Sequence, residues 1–388
     1  MKHMGMYIHI PFCKKKCDYC DFNSFSNKED LIQEYIKYLK QELEMVGEGI
    51  QLDAKAGYDD YVTIDTIYIG GGTPSFIDSK YILEIMNIVK QNYNISENAE
   101  ITIEINPGTI NKTKFEDYKK AGINRCSIGL QSENDKLLEQ IGRIHKLEDF
   151  KEAYELAKKT GFENINIDFM IGLPNQQMTD IDKMLELIKK LEPQHVSVYS
   201  LIVEENTKIY DKIKDGILKL PEDDLEREMY WKVKKELEKH GYKHYEISNY
   251  AKPGFYSKHN MDCWNQKEYI GFGVGAHSYT NSARYSNITD ITEFIENFKN
   301  KKEENNIIFH EKQDKTAKVK EYMILGLRKI EGIKFKSFED KFGFDLRLGF
   351  KQEIEKLSKQ NLINFSEERI FLTDKGIDFA NIVWEEFI

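Results

Sequence analysis

Long hydrophobic runs are missing from this 388-residue chain. None approaches the ~20 consecutive apolar residues that a membrane-spanning helix needs. The first residues, Met1 to Ile10, lack the apolar core of a signal peptide; nothing marks the chain for export, and a cytoplasmic location is expected. Basic residues are in deficit, with 56 Lys and Arg against 66 Asp and Glu and a net charge of −10. There is no extended basic stripe of the kind phosphate neutralisation requires, so no nucleic-acid partner is expected. Cysteine is scarce and odd in number: five residues, of which Cys13, Cys17 and Cys20 fall within eight positions. An odd, clustered set in a chain without an export signal excludes a disulfide framework and points to metal ligation in a reducing compartment. Low-complexity segments and internal repeats beyond a βα period are also absent.

What is present is an ordinary globular composition, 40% hydrophobic and 31% charged. The length suggests one large unit and one or two smaller ones. Candidate strands at Met6–Ile10, Thr63–Ile69, Glu100–Ile105, Asn124–Leu130, Asn164–Ile171 and His195–Leu201 alternate with helical patterns at Asp30–Val46, Lys80–Gln91, Asn111–Ala121, Leu147–Thr160 and Ile181–Leu191. Six βα units in succession predict an α/β fold, a partial (β/α)6 TIM-type barrel with its chemistry at the carboxyl ends of the strands. A helix over Glu222–His240 and a strand over Tyr242–Ser248 extend it. The Gly- and aromatic-rich Asn249–Tyr285 reads as a long functional loop, and the charged Asn297–Asn306 as a linker. The remainder reads as helices over Lys315–Ile330, Ser337–Phe342 and Leu346–Gln360, a hairpin over Ile363–Thr373, and a helix over Asp378–Phe387. The expected organisation is therefore a core over 1–240, an extension over 241–296 and a small winged-helix-like α+β domain over 307–388. Nine Lys and Arg against eleven Asp and Glu in Ile333–Ile388 favour a protein-contact role for that last domain over DNA binding.

Cys13-Lys14-Lys15-Lys16-Cys17-Asp18-Tyr19-Cys20 is a CxxxCxxC element directly after the first strand. Iron–sulfur clusters are usually held by four thiolates, and three here would leave one iron open. The alternative is a structural zinc site, which wants four closed N/S ligands and would have to recruit His9 or a distant cysteine. The three lysines read as solvent-exposed. Tyr68-Ile69-Gly70-Gly71-Gly72-Thr73-Pro74 ends the second strand, and consecutive glycines let a ligand approach the backbone closely. Further strand ends carry Glu104-Ile105-Asn106-Pro107-Gly108, Gly129-Leu130-Gln131-Ser132 with Gly142-Arg143-Ile144-His145 beyond, and Asp168-Phe169-Met170-Ile171-Gly172-Leu173-Pro174. Gly271 to Ser278 is Gly-spaced but is not a dinucleotide fingerprint. Cys126, mid-strand, reads as a buried small hydrophobe.

The cysteine element at the first strand's end resembles the signature of the radical S-adenosylmethionine superfamily. The resemblance implies that the open iron chelates the methionine amino and carboxylate groups, and that an electron from the cluster cleaves the sulfonium to a 5′-deoxyadenosyl radical. With the later motifs the chain resembles the oxygen-independent coproporphyrinogen III oxidase-like branch, and the resemblance covers essentially the whole chain. It implies a [4Fe–4S] cluster on Cys13, Cys17 and Cys20, and S-adenosylmethionine contacts at Tyr7, Gly71, Gly72, Thr73, Glu104, Gln131, Arg143 and Asp168. Arg143 suits bidentate pairing with a carboxylate. Two features depart from the oxidases: Asp21 and Phe22 follow Cys20 where they carry a further cysteine, and little chain precedes Cys13. Both resemble the HemW-like haem chaperones of the same family. His259-Asn260-Met261-Asp262-Cys263-Trp264 is similar to their His-Asn-x-x-Tyr-Trp element, associated with haem binding, with Cys263 in place of Tyr. His259 is then an expected haem ligand, with Trp264 packing on the macrocycle and Cys263 a second possible ligand. Haem, a haem-acceptor protein, an electron donor such as flavodoxin or ferredoxin, and peripheral contact with membrane proteins are the implied partners. Oxidase activity is not expected. The rival reading is a radical enzyme acting on a porphyrinogen, and a third is a zinc-stapled module that contacts DNA.

Overall fold

The computed structural model describes residues 2–56 and 61–388. In chain order its elements are β1 (Lys2–Ile10), α1 (Ile32–Ala56), β2 (Val62–Gly71), α2 (Ser79–Asn92), β3 (Asn94–Ile105), α3 (Lys112–Ala121), β4 (Arg125–Gln131), α4 (Asp135–Gln140), α5 (Leu147–Lys159), β5 (Asn164–Ile171), α6 (Met178–Leu191), β6 (His195–Ser200), α7 (Lys208–Lys214) and α8 (Asp223–Lys239). There follow β7 (Lys243–Glu246), β8 (Asn249–Ala251), α9 (Lys258–Trp264), β9 (Tyr269–Phe272), β10 (His277–Thr280), β11 (Ala283–Asn287), α10 (Ile291–Lys299) and β12 (Ile307–Lys312). The last part comprises α11 (Lys315–Gly326), β13 (Ile333–Lys334), α12 (Phe335–Phe342), α13 (Leu346–Gly349), α14 (Lys351–Lys359), β14 (Ile363–Phe365), β15 (Arg369–Leu372), α15 (Asp374–Asp378) and α16 (Ala380–Glu385).

The strands β1 to β6 pair in parallel in sequence order. This is the (β/α)6 half-barrel expected from the alternating pattern. The strands read as near-continuous apolar runs because helices cover the outer face. Ile8, Ile69, Ile103, Ile128 and Ile167 are fully buried in one core with Leu39, Met86, Phe115 and Phe150 of the helices. Helix starts follow local chemistry: the side chains of Asp78, Asn111 and Ser257 accept backbone N–H groups at the first turns of α2, α3 and α9.

Three expectations need correction. Asn249–Tyr285 is not a loop: it folds into β8, α9, β9, β10 and most of β11, and β9 pairs in parallel with β1, Gly5–Ile8 against Tyr269–Phe272. Asn297–Asn306 is not a linker either. It holds the end of α10 and a 3-10 turn at Glu303–Asn306 that leads into β12. β12 is the edge strand of the main twelve-stranded sheet, whose order is β12, β11, β10, β9, β1, β2, β3, β4, β5, β6, β8, β7, so residues 307–312 pack with the barrel and not with the carboxyl-terminal unit. Finally, Leu346–Gln360 is two helices broken at Phe350.

The carboxyl-terminal unit has its own core, with Met323, Phe338, Leu346, Leu357 and Val383, and an antiparallel sheet in the order β13, β15, β14. It meets the barrel at Arg328, whose guanidinium lies 4.4 Å from the centre of the Trp264 ring and 5.2 Å from that of Trp384. Trp231 Nε1 donates to Asp378 at 2.8 Å across the same junction. Among the described residues no helix is long and apolar enough to cross a membrane.

Candidate cofactor site at the barrel mouth

The cysteine loop leaves β1 and is pinned from several sides. Cys13 N donates to Phe25 O at 2.8 Å, Phe25 N returns to Pro11 O at 2.7 Å, and Asp18 N donates to Ile141 O at 3.0 Å. The Asp18 carboxylate pairs with Lys212 of α7 at 2.6 Å. Lys14 and Lys15 are exposed, as expected, whereas Lys16 is half-buried and donates to Phe22 O at 2.9 Å. Burial raises the thiol pKa of Cys13, against a hydrogen bond from Thr73, and pushes Cys20 up to about 11. Thiols so placed are inert until a metal supplies positive charge. Among the described residues no three His, Cys, Asp or Glu side chains converge as a single-ion site would demand. His9, the candidate fourth zinc ligand, is committed elsewhere: its ring nitrogens meet Tyr7 OH at 2.9 Å and Asn23 O at 2.8 Å. A cluster, in which each thiolate takes a different iron, suits this loop better than one zinc ion.

The glycine turn lies against the loop. Gly72 N donates to Ile10 O and Thr73 N to Phe12 O, both at 2.9 Å, and Thr73 Oγ1 donates to Cys13 Sγ at 3.4 Å. A Cβ on Gly72 would stand 3.0 Å from Cys13 Sγ, and Gly71, at φ +114°, would drive one into the His9 ring at 2.7 Å. Gly71 N also donates to Glu104 Oε2 at 3.1 Å, while Tyr68 OH donates to Oε1 at 2.8 Å. Burial pushes the Glu104 carboxyl up to about 7, against the Tyr68 bond.

Strand register explains the rest of the lumen. Glu104 is level with Ser127, Asn166 and His195 across β3 to β6, and Asp168 with Gly129 and Ser197. Asn166 Nδ2 donates to Ser127 Oγ and Asp168 Oδ1, both at 2.7 Å, and Ser127 Oγ donates to Asp168 Oδ2 at 3.0 Å. His195 bridges Asn166 Oδ1 at 2.6 Å and Tyr245 OH at 2.7 Å. Burial raises the Asp168 pKa despite these donors. This spine was invisible in the sequence, because each strand contributes one or two inward polar residues inside an apolar run.

Tyr7, Gly71, Gly72, Thr73, Glu104 and Asp168 therefore share one mouth and upper lumen. Gln131 ends β4 at φ +72°, its side chain near Gly129. Arg143 sits beside the cysteines: Nη1 donates to Cys17 Sγ at 3.5 Å, Nη2 to Gly129 O at 2.7 Å, and buried Nε has no partner among the described residues. His259 is not at the mouth. It projects from α9 into the amino end of the lumen, 8% exposed, with Nδ1 2.8 Å from Thr66 Oγ1 and its ring 5.2 Å from that of Tyr68. Burial holds its pKa down to about 4. The Glu100 carboxylate fixes the start of α9 by accepting from Lys258 N and His259 N, both at 3.1 Å. Outside α9 a cavity of about 470 Å³ is lined by Thr66, Tyr256, Lys258 and Met261. Trp264 is occupied by Arg328, and Cys263 is half-buried with its thiol pushed up to about 12 by desolvation.

Residues 7–188 match the radical SAM superfamily, and residues 313–379 the HemN C-terminal domain. The heme chaperone HemW of Bacillus subtilis is 37% identical over 385 residues, 98% of this chain and 98% of that protein. The chain belongs to the HemW family. HemW of Lactococcus lactis is 34% identical over 100% of this chain and 98% of its own length, and HemW of Escherichia coli is 38% identical over 71% and 69% respectively. The fold is also that of coproporphyrinogen III oxidase HemN from Escherichia coli. That structure superposes with a TM-score of 0.84 at 21% identity and covers 100% of this chain and 90% of that one. The radical SAM family implies a [4Fe–4S] cluster and S-adenosylmethionine. The residues present fit both: three thiols in one loop, a glycine cradle that a single Cβ would fill, and an unpartnered buried donor on Arg143.

Proposed function

We propose that this chain is a haem chaperone that holds a [4Fe–4S] cluster on Cys13, Cys17 and Cys20, binds S-adenosylmethionine at the open iron, and passes haem to an acceptor protein. The observation that carries the reading is the glycine cradle at Gly71–Thr73, wedged between the cysteine loop and Glu104, in a chain 37% identical along 98% of its length to a heme chaperone. When bound, the cluster supplies one-electron chemistry to the sulfonium. The chain's own residues do the holding. Gly71 and Gly72 admit the methionine end, Glu104 faces its ammonium, and Arg143 Nε is free for its carboxylate. Tyr7, Gln131 and Asp168 line the remaining wall.

Haem belongs at the other end of the lumen. His259 is kept neutral by burial, which is the form that ligates iron, and Thr66 occupies only its Nδ1. The cavity outside α9 shares Thr66 with His259 but is not lined by the imidazole, so ligation of a macrocycle seated there would require α9 to shift. Trp264 and Cys263 are engaged in packing and have no part in this reading.

The test is an anaerobic titration of the reconstituted protein with haem. A Soret band that weakens in His259→Ala, followed by transfer to an apo haem protein, is the expected result. A spectrum indifferent to His259→Ala, or release of decarboxylated porphyrinogen with 5′-deoxyadenosine, would count against the chaperone and for an oxidase.

A further inference from the structure

Arg143 is tied to the cysteine loop more closely than a cofactor contact requires. It reaches Cys17 Sγ with Nη1 at 3.5 Å and is oriented by the Gly129 carbonyl on Nη2 at 2.7 Å. Gly129 makes room for that approach, since a Cβ there would stand 3.4 Å from Nη2. The Tyr19 side chain, between two cluster ligands in sequence, is half-buried beside the same guanidinium. The nearest carboxylate of the loop, Asp18, is taken by Lys212 at 2.6 Å. Arg143 is thus a half-buried cation whose anionic partner in the cluster-loaded, cofactor-free protein would be the thiolate of Cys17.

Hydrogen bonds and charge at the cysteine sulfurs are among the main determinants of an iron–sulfur potential. Reduction adds one electron to the cluster and breaks no bond, so a fixed cation at a ligating sulfur favours the reduced form. We infer that Arg143 is a tuning residue that raises the reduction potential of the cluster through Cys17, in addition to any contact with the cofactor. The inference rests on the cluster assignment above and adds a role that the cofactor contact does not entail. A residue that only met the methionine carboxylate would leave the potential of the cofactor-free protein unchanged.

The experiment is a dithionite titration of the full-length, reconstituted protein without S-adenosylmethionine, followed by electron paramagnetic resonance, on wild type, Arg143→Gln and Arg143→Lys. In Arg143→Gln the ratio of reduced to oxidised cluster at a fixed potential is expected to fall about tenfold, a shift of about 59 mV to more negative potential for one electron. Arg143→Lys, which keeps the charge but loses the fork, is expected to fall between the two. Equal midpoints in all three proteins would overturn the inference. So would loss of iron from both variants while circular dichroism shows them folded, because a tuning residue leaves the ligands intact. A wild-type protein that takes up no iron would instead end the cluster reading itself, and the two failures are distinguishable by iron content.

Discussion

At position 72 there is no space for a methyl group: its carbon would lie 2.8 Å from the Pro11 carbonyl carbon and 3.0 Å from Cys13 Sγ. Backbone cannot yield as a side-chain tip can, so Gly72→Ala must displace the cysteine loop. Iron and sulfide per chain after reconstitution are expected to fall by more than half. Gly108→Ala, whose nearest neighbour is His145 Cβ at 3.5 Å, serves as a tolerant control. Glu104 gives a prediction with a sign. Its carboxyl, raised by burial to about 7, is neutral in the empty site below that pH. A cationic ligand favours the carboxylate, so affinity for S-adenosylmethionine should rise by up to about tenfold per pH unit as pH climbs to about 7, then level off. Equilibrium dialysis between pH 6 and 8 measures this, and Glu104→Gln should flatten the profile at a lower plateau. The same shift has a stability consequence of opposite direction. A carboxyl whose folded pKa lies above its unfolded one stabilises the fold at low pH, and that contribution is lost as pH rises from about 4.5 to about 7.

Elements, rather than residues, decide what a sequence reveals. Strand β5 was readable at its observed bounds, Asn164–Ile171, because apolar residues on its outer face and a polar spine on its inner one still leave a strong β-rich run. Strands β9 to β11 were not readable: they are four or five residues long, rich in polar and aromatic residues, and hold their place through pairing with neighbouring strands. β12 escaped for a related reason. As an edge strand it is exposed along its whole length, Phe309 included at 62%, and so carries no buried face to betray it. The cysteine and glycine elements were legible because their chemistry is local. His259 was found but placed only by the fold, since its register with Thr66 depends on α9 plugging the amino end of the lumen. That plug has a testable anchor in Glu100, whose buried carboxylate receives two backbone N–H groups of α9. Glu100→Ala is expected to cost about 1–3 kcal/mol in urea unfolding and to speed hydrogen exchange across residues 258–264. Unchanged exchange there would show that α9 is held by packing alone.

For the whole molecule, the junction between barrel and carboxyl-terminal unit is broad and largely polar: Arg284 pairs with Glu321 at 2.5 Å, Lys329 Nζ donates to Asn265 Oδ1 at 2.6 Å, and Ile330 N donates to Tyr245 O at 3.1 Å. Arg328 lies between Trp264, at the end of the helix that carries His259, and Trp384 of the last helix. Its loss in Arg328→Ala is expected to remove roughly 0.5–2 kcal/mol, read as a lowered calorimetric midpoint with a change in tryptophan emission. An unaltered midpoint would mean that the other contacts across the junction, Trp231 with Asp378 among them, hold the units without it. The pairing of β1 has a consequence in time. The strand that ends in the cysteine loop is flanked by β2 on one side and by β9 on the other, and Gly273, just past β9, abuts the His9 carbonyl from which the loop departs. On the ribosome, the chain between Cys20 and β9, roughly 250 residues, takes on the order of 10–50 s to make. Throughout that interval the three thiols exist on an unfinished scaffold, open to oxidation and to the wrong metal. Delivery of a cluster to the completed loop is therefore expected only after β9 has paired with β1, and a chain made under oxygen is expected to be full-length and colourless until then.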